Sequence, residues 1–139
     1  MADLLLCDEN IEAALAHLLS GKNSRDPEGN MLYDLPSYWQ INRAEIREAV
    51  NQGIYLPHII EQTSITQSNG RQRTIYLYCH IDRLLLRALH QHLSPIIEPL
   101  LSPHSYAYRP HSGAEEALAQ IPALYKSGYR HAMYVDIRH

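Results

Sequence analysis

Between Ile59 and Cys79 the chain carries two β-rich runs, Ile59 to Thr66 and Gln72 to Cys79, separated by Ser68-Asn69-Gly70-Arg71. Asn-Gly between two such runs is the strongest short-range hairpin signal, because a type I′ turn needs positive φ at both central residues. No other stretch of the chain restricts the fold as tightly. In the second run, alternation puts Arg71 and Arg73 on one face with Ile75 and Leu77, and Gln72, Thr74, Tyr76 and Tyr78 on the other. Two arginines near a hairpin tip can reach a ligand lying over it. Taken alone, they can equally be a solvated tip.

The flanking segments read as helices. Glu9 to Ser20 has Asp8 as its cap and Ile11, Ala14, Leu15, Leu18 and Leu19 as its apolar stripe, with Gly21 as its stop. Residues 21–36 are rich in Gly, Pro, Asn, Asp and Ser and read as loop. A second helix opens on Asn42-x-x-Glu45, which resembles a capping box, and ends at Gly53. Asp82 caps a third, from Arg83 to about Leu93, with Leu85, Leu86, Leu89 and Leu93 as its stripe and Pro95 opening a turn or kink. Ser112-x-x-Glu115 opens a fourth that closes at Gly128, with a kink or early break at Pro122. Ala132 to Ile137 reads as a buried strand interrupted by one charge, Asp136.

At 139 residues, 45% apolar and 19% charged, the chain fits one ordinary globular domain and not a disordered tail. No apolar run approaches a membrane span, and Met1 to Leu6 lacks a basic secretory region, so no membrane partner is expected. Cys7 and Cys79 form no metal spacing and point to a reducing compartment, such as a bacterial-type cytoplasm. The net charge of −3 argues against a generally basic nucleic-acid binder. Its distribution is uneven. Residues 1–56 carry four Lys/Arg against nine Asp/Glu, whereas residues 57–139 carry eight against six. Polyanion contact is therefore expected in the second part, at local clusters. The nine histidines are scattered, and His90 and His92 face different ways on a helix, so no zinc site is expected.

A carboxylate at the end of an apolar strand is costly unless it is paired or bound to a metal. Asp136 can therefore cap whatever follows it or ligate a cation. Arg109, behind Tyr106 and Tyr108, suits backbone contact beside stacked bases, or a Tyr-Arg-Pro loop that packs internally.

From Gly53 onward the order of motifs resembles the reverse transcriptases of group II introns and their bacterial relatives. The matching residues are Gly53-Ile54-Tyr55-Leu56-Pro57, the Asn69-Gly70 hairpin with Arg71 and Arg73, and Ile81-Asp82-Arg83-Leu84. Leu93-Ser94-Pro95, Glu98-Pro99, Ser105-Tyr106-Ala107-Tyr108-Arg109-Pro110 and Tyr134-Val135-Asp136-Ile137 follow in the family's order. The resemblance covers about the last 85 residues. It implies an α+β fold with residues 1–56 as a mainly helical N-terminal extension, 57–130 as the fingers and 131–139 as the start of the palm. It further implies that Arg73, and less directly Arg71, meet the triphosphate of an incoming dNTP, a task suited to a permanently charged fork. Arg109 would contact the template or nucleotide backbone. Arg83 would be an ion-pair partner or a template-side contact. Asp136 would be the first catalytic, metal-binding carboxylate, with the main-chain carbonyl of Ile137 as a second ligand for Mg²⁺, which Mn²⁺ can replace. The implied partners are an RNA template and a DNA primer.

The sequence also departs from the family's pattern. Gln67 stands where a lysine usually precedes the hairpin turn, and Ala107 and Tyr108 replace Gly and Phe. After Asp136-Ile137 come Arg138 and His139 in place of two aromatics and an Asp, and no Asp-Asp pair occurs anywhere. The expectation is an amputated polymerase, inactive alone, whose last strand can pair with another copy. The rival is a stand-alone RNA-binding or protein-interaction module without catalysis.

Overall fold

The computed structural model describes residues 2–110 and 112–137. The fold is α+β, helices with one two-stranded antiparallel sheet. Helix α1 spans Ala2–Leu5, α2 Asp8–Leu19 and α3 Leu35–Asn51; strands β1, Glu61–Thr66, and β2, Gln72–Leu77, precede α4, His80–Ile97, and α5, Ala114–Lys126. The chain divides near Ile96 into two compact units.

The first unit holds the core. Leu6, Ile11 and Ala14 meet Leu32, Leu35, Trp39 and Ile46, and Cys79, Ile81, Leu84 and Ala88 complete the cluster. Residues 1–56 and the hairpin–α4 segment therefore share one core. The stripe of α2 is buried at Ile11 and Ala14, half-buried at Leu15 and Leu18, and exposed at Leu19. Small Ala88 lets α2 approach α4 closely. Asn10 Nδ2 reaches the Ala88 carbonyl at 3.0 Å, and Gln91 Nε2 donates back to Asn10 Oδ1 at 2.7 Å. That contact turns Ile81, Leu84 and Ala88 inward, and the expected stripe residues Leu86, Leu89 and Leu93 are exposed.

Several local expectations are corrected by longer-range contacts. Helix α3 starts at Leu35 and not at Asn42, because Pro36 in its first turn supplies helical φ and lacks only an N–H that would have no partner there. Asn42 sits mid-helix and donates to the Tyr38 carbonyl. Asp8 does not cap α2; it pairs with Arg47 of α3 at 2.6 Å, and the same guanidinium donates to the Leu6 carbonyl and lies over Trp39. Ser112 makes no capping bond to α5, which starts at Ala114 behind Gly113 and runs unbroken through Pro122. The hairpin turn is also not type I′. Among its residues only Gly70 has positive φ, at 80°. Gly70 N–H donates to the Gln67 carbonyl and Gln67 N–H to the Arg71 carbonyl, the pattern of a three-residue loop with a left-handed glycine. Asn69 instead accepts from the Arg71 N–H through its side chain.

The loop before α3 is ordered by one carboxylate. Asp26 accepts from the backbone N–H groups of Glu28 and Asn30 and, across the fold, from that of His80 at the start of α4. The buried His80 ring receives the Arg83 guanidinium at Nδ1, which leaves Nε2–H to donate to the Ser24 carbonyl at 3.0 Å. Burial opposes the charge on Asp26, but the donated hydrogen bonds from His80 and Asn30 outweigh it and hold its carboxyl below the usual range.

Asp26 is thus a helix cap supplied from a distant loop. Asp26→Ala is expected to cost about 1–2 kcal/mol at neutral pH, read as a lower urea midpoint. A depressed folded-state value means the charged form contributes stability above the ordinary carboxylate value of 3.8, lost as pH falls through the folded value. The gap between variant and wild type should therefore narrow on acidification below that point; a constant gap would refute the assignment.

Candidate functional site

The arginines of the hairpin stand on a projecting arm. The ladder pairs Glu61 with Leu77, Thr63 with Ile75, Ile65 with Arg73 and Thr66 with Gln72. Only Thr63 and Ile75, which face each other, are half-buried; both faces are otherwise exposed. Arg73 lies across from Ile65, while Glu61, the acid on that face, sits at the root. Among the described residues neither the Arg71 nor the Arg73 side chain has a hydrogen-bond or ion-pair partner. Arg73 on β2 and Arg71 in the turn before it thus meet no neutralising anion among the described residues.

The root is held by Asp82. The residue is 6% exposed and sits in the first turn of α4. It does not cap its own helix, as its position there implies. The Tyr55 hydroxyl donates to Oδ1 at 2.6 Å, the His58 backbone N–H to Oδ2 at 2.9 Å, and the His58 ring Nδ1 lies 3.4 Å from Oδ2. Burial, then the bond to Asp82 and its charge, drive the Tyr55 phenol far above its ordinary range, so it stays a donor. On the other side β2 runs through Cys79 directly into α4, and the Cys79 thiol faces the Ile59 carbonyl. Burial, with the charges of Glu28, Asp26 and Asp82, pushes that thiol up to about 11, so it is an inert core group. Both strands of the hairpin are therefore tied to the same helix end. Beside the root lies an apolar hollow of about 420 Å³, walled by Tyr55, Pro57, Leu85, Leu86 and Leu89, with Asp82 as its only charged lining group.

In the second unit, Arg109 is a loop clamp. Its Nε and Nη2 donate to Glu98 Oε1 at 2.9 and 2.6 Å, and Nη1 donates to the carbonyls of Ser102 and Ser105, each at 2.8 Å. Four of the roughly five guanidinium donors are thus spent within the chain. The loop it gathers holds Tyr108 at φ 59°, a left-handed conformation uncommon for a tyrosine.

The expected strand at 132–137 is absent. Residues 129–137 carry no regular structure and are exposed, with Tyr134 at 90% and Ile137 at 89%. A strand exists only by hydrogen-bonding to a neighbour, and the sheet among the described residues ends with β1 and β2. Asp136 is accordingly exposed and not buried, and Arg138 and His139 lie outside the described residues. Among the described residues no three His, Cys, Asp or Glu groups converge to hold a metal. Asp136 and the Ile137 carbonyl would supply two oxygen ligands, and a Mg²⁺ ion held by them would complete its octahedron with waters, phosphate oxygens or further carboxylates. Among the described residues no helix is long and apolar enough to cross a membrane.

The Tyr55–Asp82–His58 staple could not be read from local pattern, because an Asp at a helix start reads as its cap. The available signal was Tyr55 and Pro57 in the lead-in to the hairpin.

No protein-family model matches the chain, and no curated protein matches its sequence.

Replacing Asp82 tests the staple. In Asp82→Ala the Tyr55 hydroxyl and the His58 N–H lose their acceptor, and about 1–3 kcal/mol of stability should be lost. Hydrogen exchange at the amides of 61–66 and 72–77 should accelerate more than in the α2 core. Equal acceleration across both would mean that Asp82 supports the core and not the hairpin.

Proposed function

We propose that this chain is the fingers portion of an RNA-directed DNA polymerase of the group II intron-like kind, and that the hairpin is its nucleotide-facing arm. The observation carrying the reading is the hairpin itself, with Arg71 and Arg73 unneutralised on a projecting arm whose root is fixed by Asp82. The motif order from Gly53 to Ile137 adds the polymerase identity. In this reading Arg73 takes the triphosphate of a dNTP, Arg71 supports it, and Arg109 holds the Ser102–Arg109 loop in shape beside the RNA template and DNA primer. Asp136 and the Ile137 carbonyl would contribute to a Mg²⁺ site only with further oxygen ligands from elsewhere, so the chain alone is inactive. A second reading, an RNA- or protein-binding module without catalysis, is favoured by one observation: Asp136 stands alone and exposed.

The arm is tested by anisotropy with a labelled RNA template–DNA primer duplex over a range of salt. Arg71→Ala with Arg73→Ala should weaken binding and reduce the slope of log affinity against log salt by about 0.9 per lost phosphate contact. An unchanged slope would remove the hairpin from the binding surface. For the polymerase identity, primer extension by a longer form carrying a Tyr-x-Asp-Asp turn should vanish in Asp136→Ala while duplex binding persists. Extension that survives the substitution would sink the assignment of Asp136.

A further inference from the structure

The second unit contains a concave site that the hairpin reading does not use. It encloses about 600 Å³ between the loop at His104 and Tyr106, one face of α5, and the segment from Tyr129 to Ala132. The lining presents three phenol rings (Tyr106, Tyr125, Tyr129), two imidazoles (His104, His131) and one guanidinium (Arg130), over a floor that includes Ile121 and Leu124. It contains no carboxylate, in a chain that carries 15 Asp and Glu. Tyr125 and Tyr129 are 61% and 67% exposed, so their rings are open to a ligand.

The shape follows from the end of α5. Gly128, at φ 101°, takes the left-handed conformation that closes the helix. Its N–H donates to the Tyr125 carbonyl and that of Tyr129 to the Leu124 carbonyl, the paired bonds of a Schellman motif. The reversal brings Arg130 back over the helix. Its Cζ lies 4.2 Å from the Tyr125 ring centroid, and Nη1 donates to the carbonyls of Tyr125 and Tyr129. A cation lying on an aromatic ring and tied to the negative end of a helix dipole is held in place, with donors left for an incoming anion.

Exposed aromatic faces with a fixed guanidinium and no acid recognise a flat π-system carrying negative charge. We propose that this concavity binds a single-stranded nucleic-acid segment, with bases stacking on Tyr129 and on the side of Tyr125 that Arg130 does not cover, and a backbone phosphate meeting Arg130. An apolar protein segment would make no use of Arg130 and the two histidines, and a folded acidic surface would make no use of the rings. The site needs neither the hairpin nor catalysis, so it stands or falls apart from the polymerase reading.

The test is fluorescence anisotropy of labelled oligouridylate, and of oligodeoxyuridylate of equal length, titrated with the whole chain. Tyr129→Leu and Arg130→Gln should each weaken binding about fivefold or more, while Tyr129→Phe retains it. Arg130→Gln should also lower the salt slope by about 0.7, and Tyr129→Leu should not. In the wild-type chain, the ring protons of Tyr125 and Tyr129 should move upfield on titration, a readout independent of how any variant folds. Preference for one oligonucleotide names the sugar. Unmoved ring signals, variants that bind as the wild type does, or equal variant sensitivity with heparin in place of the oligonucleotide would each overturn the proposal. Ring shifts with an apolar peptide but not with either oligonucleotide would overturn it in favour of a protein partner.

Discussion

The Asp82 carboxylate carries more of this structure than any other group. Removing a charge from water costs several kcal/mol unless the protein replaces the lost solvation. Here the replacement comes from the Tyr55 hydroxyl, the His58 backbone N–H and the positive end of α4, in whose first turn Asp82 sits. The two hydrogen-bond donors belong to one irregular segment that these bonds fix to α4. Tyr55 and His58 lie in the stretch between α3 and β1, where no regular structure fixes the backbone. The desolvation cost thus becomes a positional constraint, since the charge is tolerated only with the hairpin root in place.

The same helix end serves a second carboxylate. Asp26 reaches the His80 N–H from the loop before α3, so the start of α4 is bound to that loop through Asp26 and to the lead-in of the hairpin through its own Asp82. The buried His80 ring joins in by binding the Ser24 carbonyl. Loop, hairpin and helix meet at one point. Beyond that junction the hairpin is left almost bare, with only Thr63 and Ile75 half-buried.

Features set by neighbouring residues could be read from the sequence, and features set by long-range pairing could not. The hairpin and its strand faces were legible because alternation and Asn69-Gly70 are local, although the turn type was not: only Gly70 takes positive φ. The ends of α3 and α5 were legible at Gly53 and Gly128 for the same reason. The capping roles of Asp8, Asp82 and Ser112 were misread, because a capping residue is defined by the bond it makes, and Asp8 and Asp82 make theirs across the fold with Arg47 and with Tyr55 and His58. Leucines of α4 were misassigned since apolar residues surround the helix, and only the close approach at Ala88 selects the buried face. Arg109 was legible as either clamp or contact; its bonds to Glu98, Ser102 and Ser105 support the clamp. The strand at 132–137 had the right composition and no partner, and composition cannot supply one.

The two units differ in what holds them. The first has a buried tryptophan and ten further buried apolar side chains, whereas α5 in the second buries none of its residues. A 13-residue helix with an internal proline is marginal in water without tertiary packing. What remains to stabilise α5 is local: Glu115 and Glu116 at its positive end, Lys126 at its negative end, and the Schellman closure at Gly128. Ligation of such a unit couples directly to its order, because anything that covers Tyr125, Tyr129 and the floor at Ile121 and Leu124 also supplies the packing that α5 lacks. The concavity is therefore best understood together with the helix that forms its wall. The feature that leaves the unit under-packed among the described residues, an open apolar and aromatic face, is also what leaves the rings of Tyr125 and Tyr129 exposed.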